Sequence, residues 1–161
     1  MKASRKIMLI GGLVLVLLGM SYGLCYAVLV EHQTLDTMGA ALTGSFASAS
    51  GRRMDGTRVD LESYRLAAFD YTRQVDAHSH WIGLGILMIG IGVIFNRVSL
   101  AERPRFIIAL ALFIGSTVFP LGVLLQTVNH GPVPRVVAAA GAALVTAALA
   151  AVAIGFLRAD E

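Results

Sequence analysis

Four histidines, His32, His78, His80 and His130, are the residues of this chain best suited to chemistry. Neutral imidazole is the commonest protein ligand for zinc, copper and haem iron. His78 and His80 open an apolar, glycine-studded run, "DAHSHWIGLGILMIGIGVIF", at residues 76–95. A ligating histidine usually has its second ring nitrogen fixed by a carboxylate or carbonyl. Glu31 and Asp76 stand beside His32 and His78 for that role. Asp76 precedes His80 by four residues, which is one helix face, and Gln126 precedes His130 by four. Gln126 and His130 share a face if their helix extends that far.

A His-x-His pair can chelate one ion from a strand. On a helix, residues two apart point about 200° from each other. An unbroken helix therefore sends His78 and His80 to different neighbours. The expected ligand set is His32, His78 and His130, with His80 as a fourth ligand or an outer-shell group. The expected cofactor is a transition metal (copper, zinc or iron) or a b-type haem held by His78 opposite His32 or His130. Cys25 could serve as a soft copper ligand or as a small core residue. The competing reading is that histidines keep a wet end at a membrane boundary.

The elements that would position these residues are membrane helices. Of the 161 residues, 57% are hydrophobic and 14% charged, against about 45–50% and about 25% in soluble domains. Four runs, residues 7–30, 77–96, 106–129 and 136–157, carry no Asp, Glu, Lys or Arg and reach the roughly 20 apolar residues that a bilayer crossing needs. The fold class expected is an all-α membrane protein, one antiparallel bundle of four transmembrane helices. The first run is longer than a usual signal-peptide core, so it reads as a retained helix. Lys2, Arg5, Lys6, Arg97, Arg103, Arg105 and Arg158 flank one side of these runs. The positive-inside rule then places both termini in the cytoplasm, in a bacterial inner membrane. The single cysteine excludes an internal disulfide. The net charge of +3 is not gathered into a nucleic-acid face.

Residues 31–76 read as an outer helical hairpin that extends the first two spans. Cys25, Val28, His32, Leu35, Gly39, Leu42 and Phe46 recur at steps of three and four. So do Leu61, Tyr64, Ala68, Tyr71, Val75, His78, Ile82 and Gly85. That spacing is the seam of paired helices. Gly51 and Gly56 mark a turn near Met54, with Asp60 at the head of the return helix. Such a turn puts His32 and His78 within roughly 3 Å of one height, and His130 joins them from the third span. Pro120 reads as a kink in that span. Trp81 and Tyr26 fit an interfacial aromatic belt.

Gly83, Gly85, Gly90 and Gly92 could make room for a haem, although small residues more often let membrane helices pack closely. The stretch "AHSHWIGLGILMIGIG" resembles the His-led, glycine-rich helix openings of small membrane proteins related to the haem–copper oxidase catalytic subunit. That resemblance implies that His78 or His80 ligates haem, with His130 as the opposite ligand. An oxidase itself has many more spans and histidines.

Two functions follow as expectations. One is a histidine-rich metal or haem site at the outer membrane boundary, for electron transfer, metal handling or sensing. The other is a non-catalytic accessory subunit of a larger membrane complex. Expected partners are the lipid bilayer and such a complex or a homo-oligomer, without nucleic acid. No general base for enzyme chemistry can be named.

Overall fold

The computed structural model describes residues 2–158, and no strand forms among them. Helix α1 (Ala3–Leu29) contains one widened π turn at Ile7–Gly11. A single non-helical residue, Val30 (φ −128°, ψ −38°), separates it from α2 (Glu31–Ser50). The hydrogen-bond ladder still crosses the break, because the Val30 N–H donates to Tyr26 at 2.9 Å and the Thr34 N–H to Val30 at 3.2 Å. Helices α1 and α2 thus form one jointed rod. Helix α3 (Met54–Ile94) returns alongside it, followed by α4 (Glu102–Leu125) and α5 (Pro132–Leu157).

Four helical stretches, within α1, α3, α4 and α5, are long and apolar enough to cross a bilayer. The chain is an all-α, four-helix, multi-pass membrane protein. The 41 residues of α3 extend about 60 Å at 1.5 Å per residue, twice a hydrocarbon core of roughly 30 Å. The 24 residues of α4 and 26 of α5 match one thickness. Half of α3, with all of α2, therefore projects beyond the bundle.

Two glycine seams hold the bundle. Between α1 and α3, a methyl group on Gly12 would meet the Gly85 carbonyl at 2.6 Å, and one on Gly85 would meet the Gly12 carbonyl at 2.6 Å. Between α4 and α5, a methyl on Gly141 would lie 2.5 Å from the Phe119 nitrogen. The pairs α1–α3 and α4–α5 are joined through α3 and α4, and α5 packs almost wholly on α4. Leu15, Trp81, Met88, Phe95, Leu112 and Val145 fill the shared core. Gly85 and Gly92 are packing residues, whereas Gly83 and Gly90 face open space. The four glycines accordingly form no common slot for a haem.

The hairpin departs from the expected one in three ways. The turn is Gly51–Arg53, and Gly56 and Asp60 lie inside α3, which starts at Met54. It closes as a Schellman motif: the Arg53 N–H donates to Ser48 at 2.8 Å and the Arg52 N–H to Ala49 at 2.9 Å. Arg52 takes the left-handed position at φ 55°, one residue after the glycine.

The second departure concerns the apolar face of the rod. Val28 is 63% exposed, Leu35 46%, Leu42 39% and Phe46 69%, and Gly39 has nothing near it. That stripe points away from α3. The face that meets α3 is small and polar: Ser45 and Ser48 are buried, Gly44 lies against the Asp60 carboxylate, and Ser48 donates to Asp60 at 3.2 Å. Small residues allow the close approach, and periodicity alone does not say which face is covered. On α3, by contrast, the expected stripe from Tyr64 to Gly85 does turn inward, although Leu61 is exposed.

The third departure is register, because His78 packs on Gly23 rather than opposite His32. Nine residues separate Gly23 from His32, about 13 Å along the rod at 1.5 Å per residue.

Candidate functional site

The polar residues that matter sit where the bundle gives way to the hairpin. Helix α3 carries most of them, and its uninterrupted backbone fixes their order and direction. His78 turns toward α1, with its ring against Gly23, where a side chain on α1 would collide with it. Its Nδ1 donates to the Gln74 carbonyl at 3.1 Å. His80 faces α4, its ring edge-on to Phe119 at 4.7 Å between centroids. Its Nδ1 donates to the Asp76 carbonyl at 2.6 Å. A carbonyl only accepts, so in each neutral ring the proton is on Nδ1 and the Nε2 lone pair is left available.

Around His78 lies a tyrosine-rich network. The Tyr22 hydroxyl donates to the Gln74 side-chain carbonyl. The Tyr22 ring meets Trp81 edge-on at 5.7 Å, and the Trp81 indole N–H donates to the Thr117 carbonyl at 3.4 Å. Tyr26 packs near Tyr71 at 6.4 Å, and Tyr71 donates to Glu31 at 3.1 Å. Trp81 and Tyr26 are 4% and 6% exposed, so both are buried links between helices rather than members of an interfacial belt. The Tyr26 and Ser116 hydroxyls are buried without a partner. Cys25 is exposed on the rod, not a core residue.

His130 lies on the far side of α3. Its Nε2 is 3.2 Å from the Asp70 carboxylate, and its ring is 5.6 Å from Phe69. Gln126 does not accompany it. Helix α4 ends at Leu125, so the two share no helix face, and the buried Gln126 amide donates back to Gly122 at 3.4 Å. Asp76 pairs with Arg73 at 3.3 Å, and Glu31 serves Tyr71. His32 is exposed on α2.

The expected set of His32, His78, His80 and His130 is thus distributed over different faces and heights. Among the described residues, no three His, Cys, Asp or Glu side chains converge as a metal site would require. Nor does His78 face His32 or His130 across a gap, as two axial ligands of a b-type haem must: it packs on Gly23, while His32 is exposed on α2 and His130 lies beside Asp70 and Phe69. Of the four imidazoles, those of His78 and His80 lie apart, each with its Nδ1 engaged by its own helix. The network of Tyr22, Gln74, Tyr26 and Tyr71 was not anticipated from sequence; the only signal for it was tyrosines recurring on two helices expected to pair.

Comparisons with protein-family models, with curated proteins and with solved structures found no match.

Proposed function

We propose that this integral membrane protein is a non-catalytic accessory subunit whose projecting rod docks a helix of a larger membrane complex. The observation that carries this is the outward apolar stripe Leu35, Leu42 and Phe46, 46%, 39% and 69% exposed on α2. Lipid covers such residues within a bilayer, but α2 stands beyond the level at which α4 and α5 turn. Contiguous apolar surface in that setting marks an interaction site. Its three-four spacing, continued through Val28 and Cys25 into α1, is that of a seam that takes another helix. The basic residues at the opposite end of the bundle support cytoplasmic termini and a bacterial inner membrane, with the rod outside.

The test is native gel electrophoresis of gently solubilised source membranes. Wild-type chain should migrate in a large assembly, and Leu35→Ser/Leu42→Ser/Phe46→Ser should migrate as a free, fully helical chain. A wild type that migrates alone would overturn this reading.

A second reading is favoured by the fixed tautomers of His78 and His80. Each Nε2 without a hydrogen bond is half of a ligand pair, so a metal or haem would need its remaining donors from a chain of the assembly that reaches α3 itself, not from a helix on the outward stripe of α2. Elemental analysis and an absorption spectrum, taken on the intact assembly and on the separated chain, address this directly. Metal or haem present only in the assembly and lost in His78→Ala supports the shared site. Its absence from both preparations removes it.

A further inference from the structure

We infer that the notch between α3 and the α4–α5 corner binds the phosphate of a phospholipid from the leaflet on the hairpin side. The notch is a cavity of about 190 Å³ lined by Arg65, Leu66, Phe69, His130 and Arg135. That is below the roughly 300 Å³ of pockets that enclose a drug-sized molecule, so it suits a head group rather than a whole ligand. Its depth is set by the corner itself: Gly131 precedes α5 in extended conformation, Pro132 opens the helix, and Arg135 stands on the first turn. The corner joins two spans, which brings the notch to head-group height.

Its charges fit a phosphate. Arg135 has no carboxylate partner among the described residues, whereas the nearby Arg65 and Arg73 are paired. Arg65 holds Glu62 at 2.7 Å, and His130 lies 3.2 Å from Asp70. The Arg65 hydrogen bond keeps the Glu62 carboxyl below its usual range. Both members of that pair are open to water, at 74% and 53%, so exchanging Glu62 for a phosphate costs Arg65 little. Asp70 and Glu62 are the acids that would oppose an anion; Asp70 is turned to His130 and Glu62 to Arg65. Arg73 lies over Phe69 at 5.0 Å and is committed to Asp76. The apolar walls from Leu66 and Phe69 suit the glycerol end of a lipid. Phosphate groups are the preferred partners of guanidinium forks.

The experiment follows the four histidine ring signals by NMR in the full chain, held in a non-ionic detergent. Short-chain phosphatidylglycerol is the probe, with diacylglycerol and inorganic phosphate as comparison arms. The His130 signal, assigned with His130→Gln, should shift and saturate with phosphatidylglycerol while that of His32 stays in place. Arg135→Gln should weaken binding roughly tenfold, the loss of one charge-assisted hydrogen bond, and Arg135→Lys should weaken it less. The His130 ring lies beside Phe69, so its unperturbed signal in each variant confirms that the corner is folded. An unmoved His130 signal overturns the proposal. Equal binding of diacylglycerol removes the phosphate, and equal binding of inorganic phosphate removes the lipid. An Arg135→Gln variant that binds as wild type removes the assigned residue.

Discussion

Gly85→Ala should loosen the bundle, whereas Gly83→Ala, two residues away on the same helix, should not. The added methyl at Gly85 falls 2.6 Å from the Gly12 carbonyl oxygen and 2.8 Å from the Val16 side chain, and ordinary contact begins at 3.4 Å. Relief requires α1 and α3 to separate by about 0.8 Å, since neither helix can yield its backbone locally, and gaps of 0.5–1 Å forfeit a quarter to a half of the dispersion attraction. Gly12 and Gly19 contribute to the same seam, so the loss extends over several turns. An overpacked core of this kind costs about 1–3 kcal/mol. At Gly83 nothing lies within 4 Å, and alanine there should be neutral or gain up to about 1 kcal/mol of helix propensity. The assay is reversible unfolding in mixed micelles followed by Trp81, the only tryptophan, which is buried between Tyr22 of α1 and Thr117 of α4. Equal effects from the two variants would refute the seam.

Further outcomes follow from the same geometry. Arg52 occupies the left-handed region at φ 55°, which costs a side chain about 1–2 kcal/mol. Arg52→Gly should therefore stabilise the hairpin by about 0.5–1 kcal/mol, after the entropy that glycine adds to the unfolded chain; thermal unfolding by circular dichroism measures it. Tyr22→Phe leaves the Gln74 side-chain carbonyl without its donor and should cost about 1–3 kcal/mol. Tyr22→Phe/Gln74→Leu should cost less than the sum of the single changes, and a double-mutant cycle in micelles reads the coupling. His78→Ala empties the space over Gly23 and should cost about 1–2 kcal/mol, while His32→Ala on the exposed face should stay within about 0.5 kcal/mol. Equal values in chemical unfolding would place His32 back in the seam.

The spans were legible because the signal for them is absolute. A run without charged residues, long enough to cross a bilayer, becomes a helix since lipid offers the backbone no other hydrogen-bond partners. The continuity of α3 from Asp60 into its span was legible for a related reason, since no proline interrupts it and the apolar period carries through, although its start at Met54 was not. The role of single glycines was not. Gly83 and Gly85 are identical in type and adjacent in pattern, yet one faces open space and the other touches a neighbouring backbone. Which of them is covered depends on the rotation of α3 about its axis, and α1 sets that rotation.

His32 and His78 are not level for two physical reasons, and both belong to the hairpin. First, in an antiparallel pair each residue of error in the turn counts twice in the register, because both arms are measured from it. Taking Gly51 and Gly56 as joint markers moved the turn from Arg52 toward Met54, and that displacement of two residues, doubled to four, accounts for part of the nine residues between Gly23, which packs on His78, and His32. The left-handed position that would have marked the turn is filled by Arg52 rather than by Gly51, so the residue type misdirects by one position even locally. Second, an apolar stripe was equated with a covered face. In water that equation holds for a lone domain, since exposed apolar surface is unfavourable. It breaks where small polar residues make the closer contact, as Ser45 and Ser48 do against α3. The stripe from Val28 to Phe46 is then surplus to the fold. The part of that surface on α2, which the fold does not use and which stands beyond the bundle, is where the proposed docking would take place.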